Sequence, residues 1–414
     1  MILLANLQGF TKGSLTMLNK YAVAKKACRI PRCLVLGILL TPLLGSAMEM
    51  AAAPEQIALT ADQWQANGKV TFKQQQGYPH GLISVKDGGA VLKNRTFDSG
   101  TIEYDISEDA DNQGIAGIWF RQQDKDTAEN FYLRTDSDCP SSIECVQYAP
   151  VSHGNVQWDV YPEYQAKAPV HAHGWNHVKL VISGKRMNVY INGETAPSLQ
   201  VGRLEGGALS GAIQLRGDAT FANLKLVPGA TEGLSPEPAK DVTEGDPNYV
   251  RNWFLSPALT IPTGQEAVFS AMPAKAEAWE AIAAERKGFV NISRKHGNPG
   301  GAPDLIWLKT NIDSDRNQSK HVAIGWARQI WVFVNGKPAY ADKNFYYPAS
   351  GRKPPLGRMS LQNGGFDLPL QSGQNEVEIA ISNDLHSLHH WGWGFEFRFD
   401  NVDGLKMQKA KQAM

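Results

Sequence analysis

Two stretches of the chain end on the same dipeptide. MNVYINGETA (Met187–Ala196) and WVFVNGKPAY (Trp331–Tyr340) carry β-prone residues up to Asn-Gly, the pair that suits a two-residue type I′ turn because both central residues need φ > 0. Each is read as a hairpin with Asn-Gly at its tip. Around them run short β-like segments bounded by turns: GLISVKD, GTIEYDIS, IAGIWFRQ, NFYLRTD, VQYAPV, HVKLVIS and GAIQLRG, then FVNISRK, DLIWLKT, HVAIGWA, NEVEIAISND and GFEFRFDNV. This spacing excludes alternating βαβ units and predicts an all-β chain of antiparallel β-sandwich, jelly-roll type. The sequences flanking the two hairpins do not align, so the echo is not a duplication.

At 414 residues the chain exceeds what one core usually supports, so two domains are expected. The first spans 54–227. Residues 228–248 (PGATEGLSPEPAKDVTEGDPN from Pro228) concentrate Pro, Gly and acids with little to bury and read as a linker. The second domain spans 249–414. One helix is expected there, AKAEAWEAIAAERKG (Ala274–Gly288), from its composition and its Lys287-Gly288 C-cap signal.

Residues 1–53 read as a signal peptide and short lead. Lys25, Lys26, Arg29 and Arg32 precede the apolar run CLVLGILLTPLLGSA, which is short for a bilayer span and followed by small residues. Cleavage is expected after Ala47 or within Ala51–Ala53, and an uncleaved inner-membrane anchor is the alternative. The chain is therefore expected to be periplasmic or secreted, in a bacterium. Cys28 and Cys33 leave with the signal, and Cys139 and Cys145 are expected to form a small disulfide. The 41 basic and 41 acidic residues cancel without long blocks of one sign, which argues against a nucleic-acid or membrane-surface partner.

The ordered series FDSGTIEYDI, GIAGIWFRQQD, NFYLRTD, WNHVKLVISGKRMNVYINGE and GAIQLRGDATFANLKL resembles the concanavalin A-like lectin/glucanase sandwich, in particular bacterial 3-keto-disaccharide hydrolase-type domains and their relatives. The likeness covers most of Leu59–Val227 and implies a fold more firmly than an activity, since the superfamily hosts lectins, hydrolases, lyases and structural modules. WVFVNGKPAY, LPLQSGQNEVEIAISND and WGWGFEFRFDNV, in that order, resemble a galactose-binding-like jelly roll. Such modules bind sugars in some proteins and brace a neighbour in others.

Strand alternation assigns the candidate binding face. If Ile118 and Phe120, Phe131 and Leu133, Val146 and Tyr148, and Ile213 and Leu215 point inward, then Trp119, Arg121, Tyr132, Arg134, Gln147, Gln214 and Arg216 share the opposite surface. Aromatic rings cover the apolar face of a sugar while Arg and Gln bond its hydroxyls or a carboxylate, so an oligo- or polysaccharide, acidic by preference, is the expected partner. Pairing of these arginines with acids on a closed surface is the alternative. Trp158, Tyr161 and Tyr164 follow in a loop that either closes over a ligand or packs a crossover, and Trp158 joins the candidate set.

EYDISE (Glu103–Glu108) matches E-x-D-x-x-E and resembles the carboxylate arrangement of family 16 glycoside hydrolases, but its early strand argues for Ile102, Tyr104 and Ile106 inward and Glu103 and Asp105 in solvent. No residue is assigned a catalytic role. His171, His173 and His177, and His386, His389 and His390 beside Asp384, lack a full ligand set. DSDRN (Asp313–Asn317) starts like a calcium loop and fails at Gln318. No cofactor is expected, with a structural calcium elsewhere left open. The leading expectation is an exported carbohydrate-binding protein. The alternatives are a glycoside or 3-keto-sugar hydrolase with acid and base among Glu103, Asp105, Asp136, Asp138 and Glu144, and a structural or adhesive envelope protein.

Overall fold

Antiparallel sheets build two main cores: burial alternates along strands such as Gly100–Glu108 and Arg186–Ile191, and is continuous over residues 128–133, 146–151 and Arg328–Val334, which are covered on both faces. The computed structural model describes residues 53–108, 115–135, 138–139, 141–262, 264–273, 279–297, 304–383 and 391–407, which fall within one unit, Glu49–Met414. The expected signal segment, Cys28, Cys33, Asp136, Asp384 and the second histidine cluster lie outside these residues.

In the first sandwich one sheet runs Leu199–Val201, Arg186–Ile191, Asn176–Ser183, Gly100–Glu108 and Ala219–Pro228; the other runs Ala212–Arg216, Ile115–Asp124, Thr127–Arg134 and Val146–Ser152. The long strand Tyr78–Leu92 belongs to both. Its first half pairs Leu82–Val85 with Ala219–Ala222, and its second pairs Gly89–Val91 with Gln214–Arg216. The change of sheet falls at Asp87-Gly88, with φ of 52° and 158°. The partner strand bends opposite at Gly68, φ 89°, where the register shifts. Glycine there admits the bulge that turns a sheet corner. Between the layers, Ile102, Tyr104, Ile106, Val178 and Leu180 meet Ile118, Phe120, Phe131, Leu133 and Tyr148, all buried.

The second sandwich packs a sheet of Glu280–Ala283, Asn252–Leu255, Asp304–Ser314, Gly373–Ser382, Arg328–Val334 and Lys337–Asn344 against one of Phe289–Asn291, Gly394–Phe399, Gln318–Trp326 and Gly364–Leu370. Trp253, Trp326, Phe395 and Phe397 fill its core. Residues 228–248 contain no strand after Pro228. They lie against the first sandwich through backbone hydrogen bonds Ala239 N to Gly202 O (2.8 Å) and Lys185 N to Pro236 O (2.9 Å).

Of three local expectations, one holds and two change. Asn335-Gly336 is the tight hairpin expected, with φ of 51° and 74° and Val334 opposite Lys337. Asn192-Gly193 has the same left-handed dihedrals but no adjacent pairing, since the chain rejoins the sheet only at Leu199 opposite Val189. The Asn192 amide is engaged elsewhere: its Oδ1 accepts from His177 N (2.8 Å) and its Nδ2 donates to Pro169 O (2.7 Å) and Asn176 Oδ1 (2.9 Å). Third, the helix expected over Ala274–Gly288 is absent over its described part. Glu280–Ala283 is a strand paired with Asn252–Leu255, burying Ile282 alone, and Lys287-Gly288 is a left-handed turn (φ 57° and 72°). Pairing the open edge of the Trp253 strand overrides helix propensity.

Candidate functional site at the junction of the sandwiches

The face of the first sandwich turned away from its core is ordered in rows across the strands. Gln214, Trp119, Asn130 and Ala149 are successive Cα partners in one row; Arg216, Gly117, Tyr132 and Gln147 form the next. With strands about 4.8 Å apart, Arg216 and Tyr132 stand about 10 Å from each other. Gly117 lies between them without a side chain. A Cβ there would fall 2.2 Å from Phe131 O and 2.7 Å from Tyr132 Cα, so the close approach of the two strands requires glycine.

At one end of this row, beside Tyr132, is a cavity of about 140 Å³ lined by Asn130, Tyr132, Arg134, Trp158, Ile115 and Trp391. Trp158 is set edge-on to Trp391 (5.1 Å between ring centroids) and to Tyr346 (4.7 Å). Arg134 Nη1 lies 3.4 Å from Glu144 Oε2, and the Tyr346 hydroxyl donates to the same carboxylate at 3.1 Å. Burial pushes the Tyr346 hydroxyl up to about 12, with Glu144 acting in the same direction. At the other end is a hollow of about 290 Å³ lined by Gln65, Asn67, Gln122, Lys125, Gln214 and Arg216. The Arg216 guanidinium stacks 3.9 Å from the Trp119 ring centroid, and burial lowers its proton affinity. It has no carboxylate within ion-pair distance among the described residues. Gln214 Oε1 is buried there without a hydrogen-bond partner.

Alternation thus places Trp119, Tyr132, Arg134, Gln147, Gln214 and Arg216 on one surface, with differing roles. Gln147 is fully buried; its Oε1 accepts from the Tyr132 hydroxyl and Trp158 Nε1, and its Nε2 donates to Glu144 O, so it orients the two aromatic walls. Arg121 leaves the face. A break in register follows Phe120, Arg121 takes φ 51°, and its side chain is 1 % exposed with Nε donating to Asp98 O at 2.8 Å. Burial lowers its proton affinity against the opposing charge of Glu129.

The loop aromatics close no lid. Trp158 walls the cavity, while Tyr161 and Tyr164 are buried at the junction, bonded to Glu285 and Glu205. Of the five acids considered for catalysis, Glu144 alone among the described residues reaches the cavity's edge. Glu103 and Asp105 belong to the other sheet, bound by Lys225 (2.7 Å) and by His177 (2.7 Å) and Asn223 (2.7 Å), and Asp138 is in the disulfide loop. Cys139 and Cys145 are joined, with Cα atoms 5.7 Å apart. Among the described residues no cluster of His, Cys, Asp and Glu could hold a metal ion, and no helix is long and apolar enough to cross a membrane.

The His177–Asp105 contact makes stability pH-dependent. The hydrogen bond to Asp105 lifts the imidazole above 6.5, against burial and Lys225 and with help from Glu103. A raised folded pKa stabilises below the unfolded value, and that stabilisation is lost as pH rises through the folded pKa. His177→Gln should therefore cost under about 1 kcal/mol near pH 6 and nothing near pH 8.5, because the pair is half-exposed. Urea midpoints that differ equally at both pH values would refute this.

Residues 58–226 match the 3-keto-alpha-glucoside-1,2-lyase-like domain. This associates the first sandwich with carbohydrate-related function. No curated protein matches the chain. Similar solved structures include carbohydrate-binding module CBM66 from Bacillus subtilis (18% identity, 40% of this chain and 95% of that one, TM-score 0.30). A Bacillus subtilis protein of unknown function with a galectin-like fold is 15% identical over 43% of this chain and 95% of that one, TM-score 0.30. Domain 4 of an extracellular arabinanase from Geobacillus stearothermophilus, in complex with arabinotriose, is 11% identical over 45% and 90%, TM-score 0.28.

Sequence reasoning missed Asn130, Ile115, Tyr346 and Trp391. Asn130 stands two residues before Tyr132 on its strand, so alternation could have found it. Trp391 and Tyr346 come from the second sandwich and carry no local signal.

Proposed function

We propose that the protein binds an acidic oligo- or polysaccharide along this row, with a pyranose ring in the Tyr132–Trp158–Trp391 cavity and a carboxylate at Arg216. The observation that carries this reading is the pairing of an aromatic-walled cavity with a partly buried guanidinium that lacks a carboxylate, about 10 Å away across Gly117. Indole and phenol faces cover the apolar face of the sugar, and a charge-assisted bond to Arg216 supplies the acidic preference. Arg134, partly neutralised by Glu144, is left to donate to hydroxyls. An exported, periplasmic or secreted location belongs to the same proposal.

The test is a glycan-array screen of wild type, Arg216→Met and Trp391→Ala, with each bound glycan incubated and examined for cleavage. Wild type should retain uronate-containing glycans intact. Arg216→Met should weaken that binding about tenfold, or ~1.4 kcal/mol, and Trp391→Ala by at least as much. Cleavage products would move the assignment to a hydrolase with Glu144 as its first carboxylate, and no retention of any glycan would overturn the reading.

A further inference from the structure

The larger sheet of the second sandwich changes character along its outer face. Leu305, Trp307, Trp331, Phe333 and Ala380 form an apolar cluster against Ile261, Ala267, Phe269 and Met272 of the preceding segment. Further along the same strands, alternation places Lys309, Asn311, Glu376 and Glu378 on that face. Lys309 is the direct partner of Glu378, and Asn311 of Glu376. Here a groove of about 610 Å³ opens, bounded by Phe254, Trp279, Lys309, Asn311, Asn335 and Glu376.

Trp279 and Lys309 line the groove, while Glu378, the strand partner of Lys309, is buried outside its lining. Lys309 makes no ion pair with Glu378, and its Nζ sits 4.3 Å from the Trp279 ring centroid. Glu378 is 1 % exposed and one of its oxygens has no hydrogen-bond partner among the described residues; the indole N–H of Trp279 is also buried and unpartnered. Burial, reinforced by Glu376, lifts the Glu378 carboxyl to about 7, so it can donate as well as accept. Native proteins rarely leave such groups unsatisfied without a water, ion or ligand to meet them.

We infer that this groove is a second binding site, specific for a neutral hexose-containing oligosaccharide. Both signs of charge face it, which disfavours an anionic or cationic group. Vicinal hydroxyls can accept from Lys309 and donate to Glu376 at once, beside the aromatic walls of Phe254 and Trp279. The second sandwich then acts as a sugar-binding module and not only as a brace for the first.

The test is titration calorimetry of the whole protein at pH 7 with maltopentaose, cellopentaose and laminaripentaose. At least one should bind wild type. Trp279→Ala and Lys309→Met should each weaken that binding tenfold or more with the melting temperature retained, while Arg216→Met leaves it unchanged. Absence of heat with all three sugars would overturn the inference, as would binding that Arg216→Met removes and neither groove variant alters. Loss of uronate binding in Arg216→Met is read separately, so failure at either site is told apart from failure at the other.

Discussion

Replacing Arg358 with methionine lowers the melting temperature by roughly 5–10 °C, for a loss of about 3–5 kcal/mol. Arg358 belongs to the second sandwich and is 1 % exposed, yet its guanidinium is spent on the first. Nε donates to Trp158 O at 3.0 Å, Nη2 to Trp158 O and to Tyr161 O at 3.1 Å, and Nη1 to Gln165 Oε1 at 2.6 Å, while the guanidinium lies 4.0 Å from the Trp158 ring centroid. Below it Asp159 is paired with Arg328 at 3.0 Å, both buried. Burial pulls Arg358 down to about 10 and pushes Asp159 up to about 6, so in each case desolvation outweighs charge attraction. The stabilisation therefore comes from the hydrogen bonds to the 158–165 loop. Methionine keeps the stem's volume and strands those carbonyls, each orphaned group costing about 1–3 kcal/mol. A calorimetric melt indistinguishable from wild type would show that the junction does not depend on this side chain.

Arg121→Ala destabilises by about 2–3 kcal/mol and leaves glycan retention unchanged. Its guanidinium bonds Asp98 O and moderates Glu129, whose carboxyl is raised by burial against a 2.5 Å hydrogen bond from the Tyr148 hydroxyl. Deleting the cation removes the positive charge near buried Glu129, which keeps its bonds from Tyr148 and Gly206, and leaves the Asp98 carbonyl without its donor. Alanine retains the φ of 51°, so backbone strain does not enter the difference. Weakened binding with an unchanged melting temperature would return Arg121 to the polar face.

Much of the first sandwich was legible because a period of two residues sorts side chains locally. Ile118, Phe131, Leu133 and Leu215 are in the core, and Trp119, Tyr132 and Arg216 face away from it, as alternation requires. The Arg121 assignment failed because the period breaks after Phe120, where a bulge shifts the later side chains and nothing in IWFRQQD marks it. Gln147 lay on the correct face, but its hydrogen bonds to Tyr132 and Trp158 depend on a neighbouring strand and a loop. The helix expectation failed because propensity is weak beside the gain from pairing a sheet edge.

The sequence by itself determined the all-β class, the Asn335-Gly336 hairpin, the Cys139–Cys145 pair and the alternation that sets Trp119, Tyr132 and Arg216 away from the core, all properties of near neighbours in the chain. Only the tertiary structure decided that Trp158 is a wall and not a lid, that Trp391 completes the cavity with Tyr346 packed edge-on behind Trp158, and that Glu103 and Asp105 belong to the other sheet. Those outcomes rest on contacts between residues up to about 230 positions apart. Such contacts form only once two cores have packed together, so no local pattern encodes them.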